Sequence, residues 1–127
     1  MSHEIIGGPF TLADGTPLPL SKAIRAGEYV YLSGQLGLDE NGKIAEGIEA
    51  QTQRCLDNVQ AILKLADLKF EHVFKATVWL TDMSNFAAFN KVYAQTFASA
   101  PPVRSTVCAG LAFPAALIEI EVTAYAG

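Results

Sequence analysis

The sequence predicts an α+β fold, a mixed or mainly antiparallel sheet with two helices on one face. Two segments repeat their apolar residues at three- and four-residue steps, while several others alternate apolar with polar residues. Their order is roughly β-β-β-α-β-α-β-β, and two helices can cover only one face of such a sheet.

Between Gly7 and Leu20, the residues Pro9, Gly15, Pro17 and Pro19 mark a hairpin or an irregular arm. Ala23 to Ala26 and Tyr29 to Ser33 read as strands joined by a turn at Gly27-Glu28, and Asp39 to Gly42 forms another turn. From Glu46 to Leu68 the period lengthens. Ile48, Thr52, Cys55, Val59, Ile62, Leu63 and Ala66 form one stripe of a long amphipathic helix. Val73 to Leu80 alternates again. Phe74, Ala76, Val78 and Leu80 are expected on one face and Val73, Lys75, Thr77 and Trp79 on the other. Ser84 is placed to cap a second helix that buries Phe86, Phe89, Tyr93 and Phe97 and stops at Pro101-Pro102. Two strands close the chain, Arg104 to Ala109 and Leu117 to Tyr125, with a turn from Gly110 to Ala116.

The face away from the helices is then expected to carry Tyr29, Tyr31 and Ser33; Val73, Lys75, Thr77 and Trp79; Arg104, Thr106 and Cys108; and Glu119, Glu121 and Thr123. That set is too apolar for a solvated face and too polar for a core. It suits a subunit interface with polar groups at its edges, and closed rings are the usual result of repeating such a contact.

A chain of 127 residues, half of them hydrophobic, fits a single domain spanning 1–127. A mean hydropathy of +0.25 is high for a small monomer and again points to a buried subunit surface. The net charge is -4 and the nine basic residues are scattered, so nothing resembles a nucleic-acid footprint. The start, MSHEIIGGPF, lacks the pattern of a signal peptide, and no apolar run is long enough to span a bilayer. A cytoplasmic location is expected. Cys55 and Cys108 make neither a disulfide framework nor a metal cluster and are expected to pack in the core or an interface. His3 and His72 are expected at the surface.

Two charges need partners. Arg104 opens a strand after the helix stop, and Glu119 lies in the strand expected beside it. A partly buried guanidinium favours a carboxylate, which matches its fork geometry. From the residues alone, an internal salt bridge from Arg104 to Glu119 or Glu121 has the stronger claim. In the functional alternative, Arg104 binds the carboxylate of a small ligand and Glu119 handles a proton or a water.

Six segments in order resemble the Rid family, also called YjgF, reactive-imine deaminase or endoribonuclease L-PSP. They are Ser33-Gly34-Gln35; the helix from Gln53 to Leu63; Lys75 to Asp82; the helix from Phe86 through Asn90 to Tyr93; Pro102-Val103-Arg104-Ser105; and Ile118 to Glu121. The resemblance implies a chorismate-mutase-like fold and a homotrimer whose sheets line a central barrel, with clefts between subunits. It implies hydrolysis of enamines and imines, such as 2-aminoacrylate and 2-iminobutyrate, to 2-keto acids and ammonia, with no cofactor. Arg104 matches the residue that binds the substrate carboxylate, and Glu119 the residue that positions the attacking water. Ser33, Gly34, Phe86 and Asn90 match residues lining the site.

Thr106 stands where the deaminases of the family carry cysteine, and Leu20 where they carry an aromatic residue, usually tyrosine. The resemblance gives position 106 a role mainly through its backbone amide. The two departures leave open a non-catalytic trimer that binds small carboxylates. An endoribonuclease or translation inhibitor has little support, because the chain lacks both a basic stripe and a histidine pair for acid–base cleavage of RNA.

Overall fold

The computed structural model describes residues 3–127. Met1 and Ser2, the start of the segment read as lacking a signal-peptide pattern, lie outside the described residues. The elements are β1 (His3–Thr11), β2 (Pro17–Ala26), β3 (Tyr29–Leu32), β4 (Gln35–Leu36), α1 (Ile48–Leu65), β5 (Val73–Leu80), α2 (Phe86–Thr96), β6 (Val103–Cys108) and β7 (Ile118–Tyr125). They build one mixed sheet in the order β1-β2-β3-β7-β5-β6, with β4 also paired to β7. Only β5 and β6 run parallel, because α2 carries the chain back between them.

The proline- and glycine-rich N-terminal segment forms the hairpin rather than an irregular arm. β1 pairs antiparallel with β2 around a turn in which the Thr16 amide donates to Asp14 Oδ1 at 2.9 Å. The second strand therefore starts at Pro17, well before Ala23, and includes Leu20. The two-residue β4 was not expected. It resumes the β3 pairing with β7 after an irregularity at Ser33-Gly34: Tyr31 faces Thr123, whereas Gln35 faces Ile120.

The long helix α1 buries the expected stripe, with Thr52, Cys55, Val59 and Leu63 fully enclosed. It begins after Gly47, whose φ of 87° suits glycine. It ends with Asp67 in the left-handed region at φ 59°. The amides of Leu68 and Asp67 return to the carbonyls of Leu63 and Lys64 at 2.9 and 3.0 Å, a Schellman closure. Polar staples tie the helix to the sheet. Asn58 donates to the carbonyls of Leu36 and Leu38 at 3.0 and 2.9 Å. Buried Gln51 donates to the Ala115 carbonyl at 3.1 Å and accepts from the Leu117 amide at 2.8 Å, anchoring the approach to β7.

Three expectations are corrected. Ser84 does not cap α2: Asp82 accepts from the Ser84 amide at 2.9 Å in a short 3-10 turn, and α2 starts after Asn85 without a side-chain cap. The start of β5 is reversed, because a register shift between Val73 and Lys75 turns Val73 into the core and Phe74 outward. The largest correction concerns β6. Arg104, Thr106 and Cys108 lie beside Ala76, Val78 and Leu80 on the helix-covered side, while Val103, Ser105 and Val107 take the open face. That open face collects Tyr29, Tyr31, Phe74 and Tyr125 around Tyr29, with ring centroids 5.3 to 6.5 Å from it.

Candidate functional site

The structure divides the predicted site residues into two groups on opposite sides of the sheet. The first lies between α2 and the edge strand β6. Phe86, Phe89, Asn90 and Tyr93 recur at three- and four-residue steps, so they share one stripe of α2. That stripe faces Arg104. The guanidinium carbon stands 5.7, 5.1 and 4.8 Å from the ring centroids of Phe86, Phe89 and Tyr93. These are cation–π distances, and the ring faces favour the cation without neutralising it. Arg104 Nη1 donates to Asn90 Oδ1 at 2.7 Å.

No carboxylate pairs with Arg104 among the described residues, whose one salt bridge joins Arg25 to Glu4 at 3.8 Å. The internal salt bridge that the residues alone favoured, from Arg104 to Glu119 or Glu121, is therefore absent among the described residues. Arg104 is partly buried, with one hydrogen bond and an aromatic floor, and its remaining N–H groups have no side-chain acceptor in hydrogen-bond geometry among the described residues. Phe86 is not buried as expected. It stays 40% exposed and forms an apolar wall beside the charge. Thr106, two residues along β6, has a buried hydroxyl without a hydrogen-bond partner.

The second group lies on the open face of β7. Glu119 projects there beside Trp79, and Gly34 lies against its carboxyl group. A Cβ on Gly34 would sit 2.8 Å from Glu119 Cδ and closer still to Oε2, so this approach requires glycine. Ser33 frames the same bend, its hydroxyl donating to the Ser21 carbonyl at 2.6 Å. Burial raises the pKa of Glu119, and the negative charge of Glu121 on the same face adds to the rise. A carboxyl group shifted this way is better placed to exchange a proton near neutral pH.

One chain thus joins Arg104 to Asn90 and Phe86, and joins Glu119 to Gly34 and Ser33, but leaves β5 between the two groups. The cation–π roles of Phe89 and Tyr93 were missed, since both read as plain core. Their spacing with Asn90 on one helical stripe was the available signal. Cys55 is enclosed as expected, its thiol pushed well above the ordinary range by burial, whereas Cys108 is exposed on the single chain and so lies outside its core. Among the described residues, no three His, Cys, Asp or Glu side chains gather to hold a metal ion, and no helix is long and apolar enough to cross a membrane.

A family model described as Endoribonuclease L-PSP matches residues 15–126. A RutC family protein of Pyrococcus horikoshii is 41% identical over 109 residues, 84% of this chain and 86% of that protein. Reactive Intermediate Deaminase A, chloroplastic, of Arabidopsis thaliana is also 41% identical, covering 81% of this chain and 56% of that protein. Among solved structures, yeast Mmf1 superimposes with a TM-score of 0.89 at 29% identity, covering 99% of this chain and 100% of that one. The Rid family protein YyfA of Yersinia pestis gives 0.87 at 31% identity, covering 98% and 99%.

Proposed function

Because the chain belongs to the endoribonuclease L-PSP family, the group also named Rid, YjgF and UK114, we propose that it hydrolyses enamines and imines bearing a carboxylate to 2-keto acids and ammonia. 2-Aminoacrylate and 2-iminobutyrate represent the substrate class. The observation that carries this reading is Arg104, a cation on an aromatic floor with no acid partner among the described residues.

The open fork of the guanidinium takes the substrate carboxylate, and Asn90 braces its far side. Phe86 lies against the substrate's carbon side chain. An enamine first gains a proton from solvent at its terminal carbon and gives one up from nitrogen, becoming the imine. Glu119 then accepts a proton from water as the water oxygen bonds to the imine carbon, and the C=N electron pair moves to nitrogen. Glu119 returns that proton to the amine nitrogen, then takes the carbinolamine hydroxyl proton and passes it to the same nitrogen as the C–N bond breaks, so that ammonia leaves, the carbonyl forms and the carboxylate is regenerated. Holding acid and water together converts a slow encounter into an oriented one.

Arg104 and Glu119 of one chain face opposite ways, so in this reading a cleft takes Arg104 from one copy and Glu119, Ser33 and Gly34 from a neighbour. A homotrimer packed through the open sheet face supplies that geometry. The exposed Tyr29, Tyr31, Phe74 and Tyr125, with Val103 68% exposed, support burial of that face. The family's endoribonuclease description fits these residues less well. The site's cation is a single guanidinium, and His72 Nδ1 accepts the Lys69 amide at 3.0 Å, away from the site.

The test supplies 2-iminobutyrate, generated in situ by an amino-acid oxidase, to wild type and Arg104→Ala. Wild type should accelerate formation of 2-oxobutyrate, and Arg104→Ala should lose at least ~100-fold in kcat/KM, the scale of a lost charge-assisted pair. No acceleration by wild type overturns the deaminase reading. Calorimetric binding of 2-oxobutyrate without turnover would leave a carboxylate-binding trimer in its place.

A further inference from the structure

Tyr93 is enclosed on α2, only 5% exposed, and its hydroxyl has no hydrogen-bond partner. Phe89 and Phe97 flank its ring at 5.4 and 4.8 Å, which holds the ring in place. A buried hydroxyl without a partner costs about 1–3 kcal/mol. Phenylalanine, as at both neighbours, would fill the same volume without that penalty. Packing therefore accounts for the ring but not for the oxygen.

The charged group beside it is Arg104, whose guanidinium carbon lies 4.8 Å from the ring centroid. Burial raises the Tyr93 pKa, while the charge of Arg104 and an incipient side-chain hydrogen bond with it work the other way, so the hydroxyl lies close to the guanidinium but outside full hydrogen-bond geometry. Asn90, one helical turn before Tyr93 in the same stripe, already accepts one guanidinium N–H at 2.7 Å. A guanidinium braced at one point can still pivot about that bond. A second acceptor on the protein side would fix its plane and leave two parallel N–H groups for a carboxylate.

We infer that Tyr93 is a positioning residue for Arg104: its hydroxyl oxygen accepts an N–H from the guanidinium when an acid ligand occupies the outer edge. Asn90 and Tyr93 then form a two-point brace, and ligand binding brings to full geometry a hydrogen bond that is only incipient in the ligand-free chain. This inference rests on the reading of Arg104 as a carboxylate receptor. It adds a residue that touches no substrate yet sets how tightly the substrate's acid group is held.

Tyr93→Phe keeps the ring and removes only the oxygen. Calorimetry with 2-oxobutyrate, steady-state kinetics on 2-iminobutyrate and thermal unfolding are run on wild type, Tyr93→Phe and Arg104→Ala. Tyr93→Phe should weaken 2-oxobutyrate binding and raise KM by about tenfold, change kcat by less than about threefold, and melt at or above the wild-type temperature. Unchanged affinity in a folded Tyr93→Phe overturns the inference while the carboxylate reading stands. A large fall in melting temperature also overturns it, because the hydroxyl would then serve the fold. Failure of wild type to bind 2-oxobutyrate, or equal binding by Arg104→Ala, removes the carboxylate reading and this inference with it.

Discussion

Gly34→Ala should disable the proposed chemistry while leaving the fold intact. The added Cβ would stand 2.8 Å from Glu119 Cδ and 3.1 Å from Cγ. Carbon atoms rest at about 3.5 Å or more, so the carboxyl carbon must retreat by about 0.7 Å, and the nearer oxygen by more. The obstructing atoms belong to the end of a flexible side chain, so the backbone can stay in place. The loss of stability should be small, about 1 kcal/mol or less, since Gly34 does not need a positive φ. The chemical cost is different in kind. Displacing a positioned group by about 1 Å costs on the order of 100-fold in rate. The expected result is kcat on 2-iminobutyrate down about 100-fold, KM nearly unchanged because Arg104 still holds the acid, and a melting temperature within a few degrees of wild type. A folded Gly34→Ala with wild-type kcat would refute the role given to Glu119, because its carboxyl group cannot occupy the same position in both proteins.

Three other outcomes follow from the same geometry. Asn90→Ala removes the acceptor 2.7 Å from Arg104 Nη1; with the guanidinium partly solvated, KM should rise by about five- to tenfold with a smaller change in kcat, and an unaltered KM would count against the brace. Gly37→Ala should lower the melting temperature by about 5–10 °C on scanning calorimetry, because its Cβ would lie 2.9 Å from Gln51 Cα and 3.0 Å from the Gln51 carbonyl oxygen, forcing α1 off the sheet; an unshifted midpoint would show that the packing is looser than described. Glu119 holds its proton to higher pH when folded than when unfolded, so its contribution to stability declines as pH rises through its raised folded pKa. Glu119→Gln should therefore melt about 2 °C above wild type at pH 8, a small gain because the group is half exposed, and the difference should close below about pH 4. A lower midpoint for the variant at pH 8 would contradict the sign of that shift.

Much of the fold was legible because its periodicities were strong. The stripe from Ile48 to Ala66 and the alternation from Ile118 to Ala124 each admit one buried face. The errors arose where a face depended on register. Val103, Ser105 and Val107 alternate with Arg104, Thr106 and Cys108, so hydrophobic content would send the valines inward, and the sequence reading likewise has Arg104 on the open side as an interface charge. The structure puts the valines on the open face and Arg104 under α2. A one-residue choice of side reverses every side chain in a strand, and the order of a parallel edge strand is decided by long-range packing. The shift at Val73 and Phe74 reversed a side for the same reason. Arg104 and Glu119 were both recognisable as charges needing partners. Their separation by β5 was not, because the strand order β7-β5-β6 is a tertiary fact. The Arg104–Asn90 bond likewise depends on how α2 lies over β6.

A crystal structure of the protein soaked with 2-oxobutyrate tests the central claim most directly. The ligand's acid group should lie across the outer N–H groups of Arg104 at about 2.8 Å, with Asn90 still behind the guanidinium and Glu119 of a neighbouring copy facing the keto carbon. An Arg104 paired instead with a carboxylate of a neighbouring copy, with the ligand absent or bound elsewhere, would contradict it.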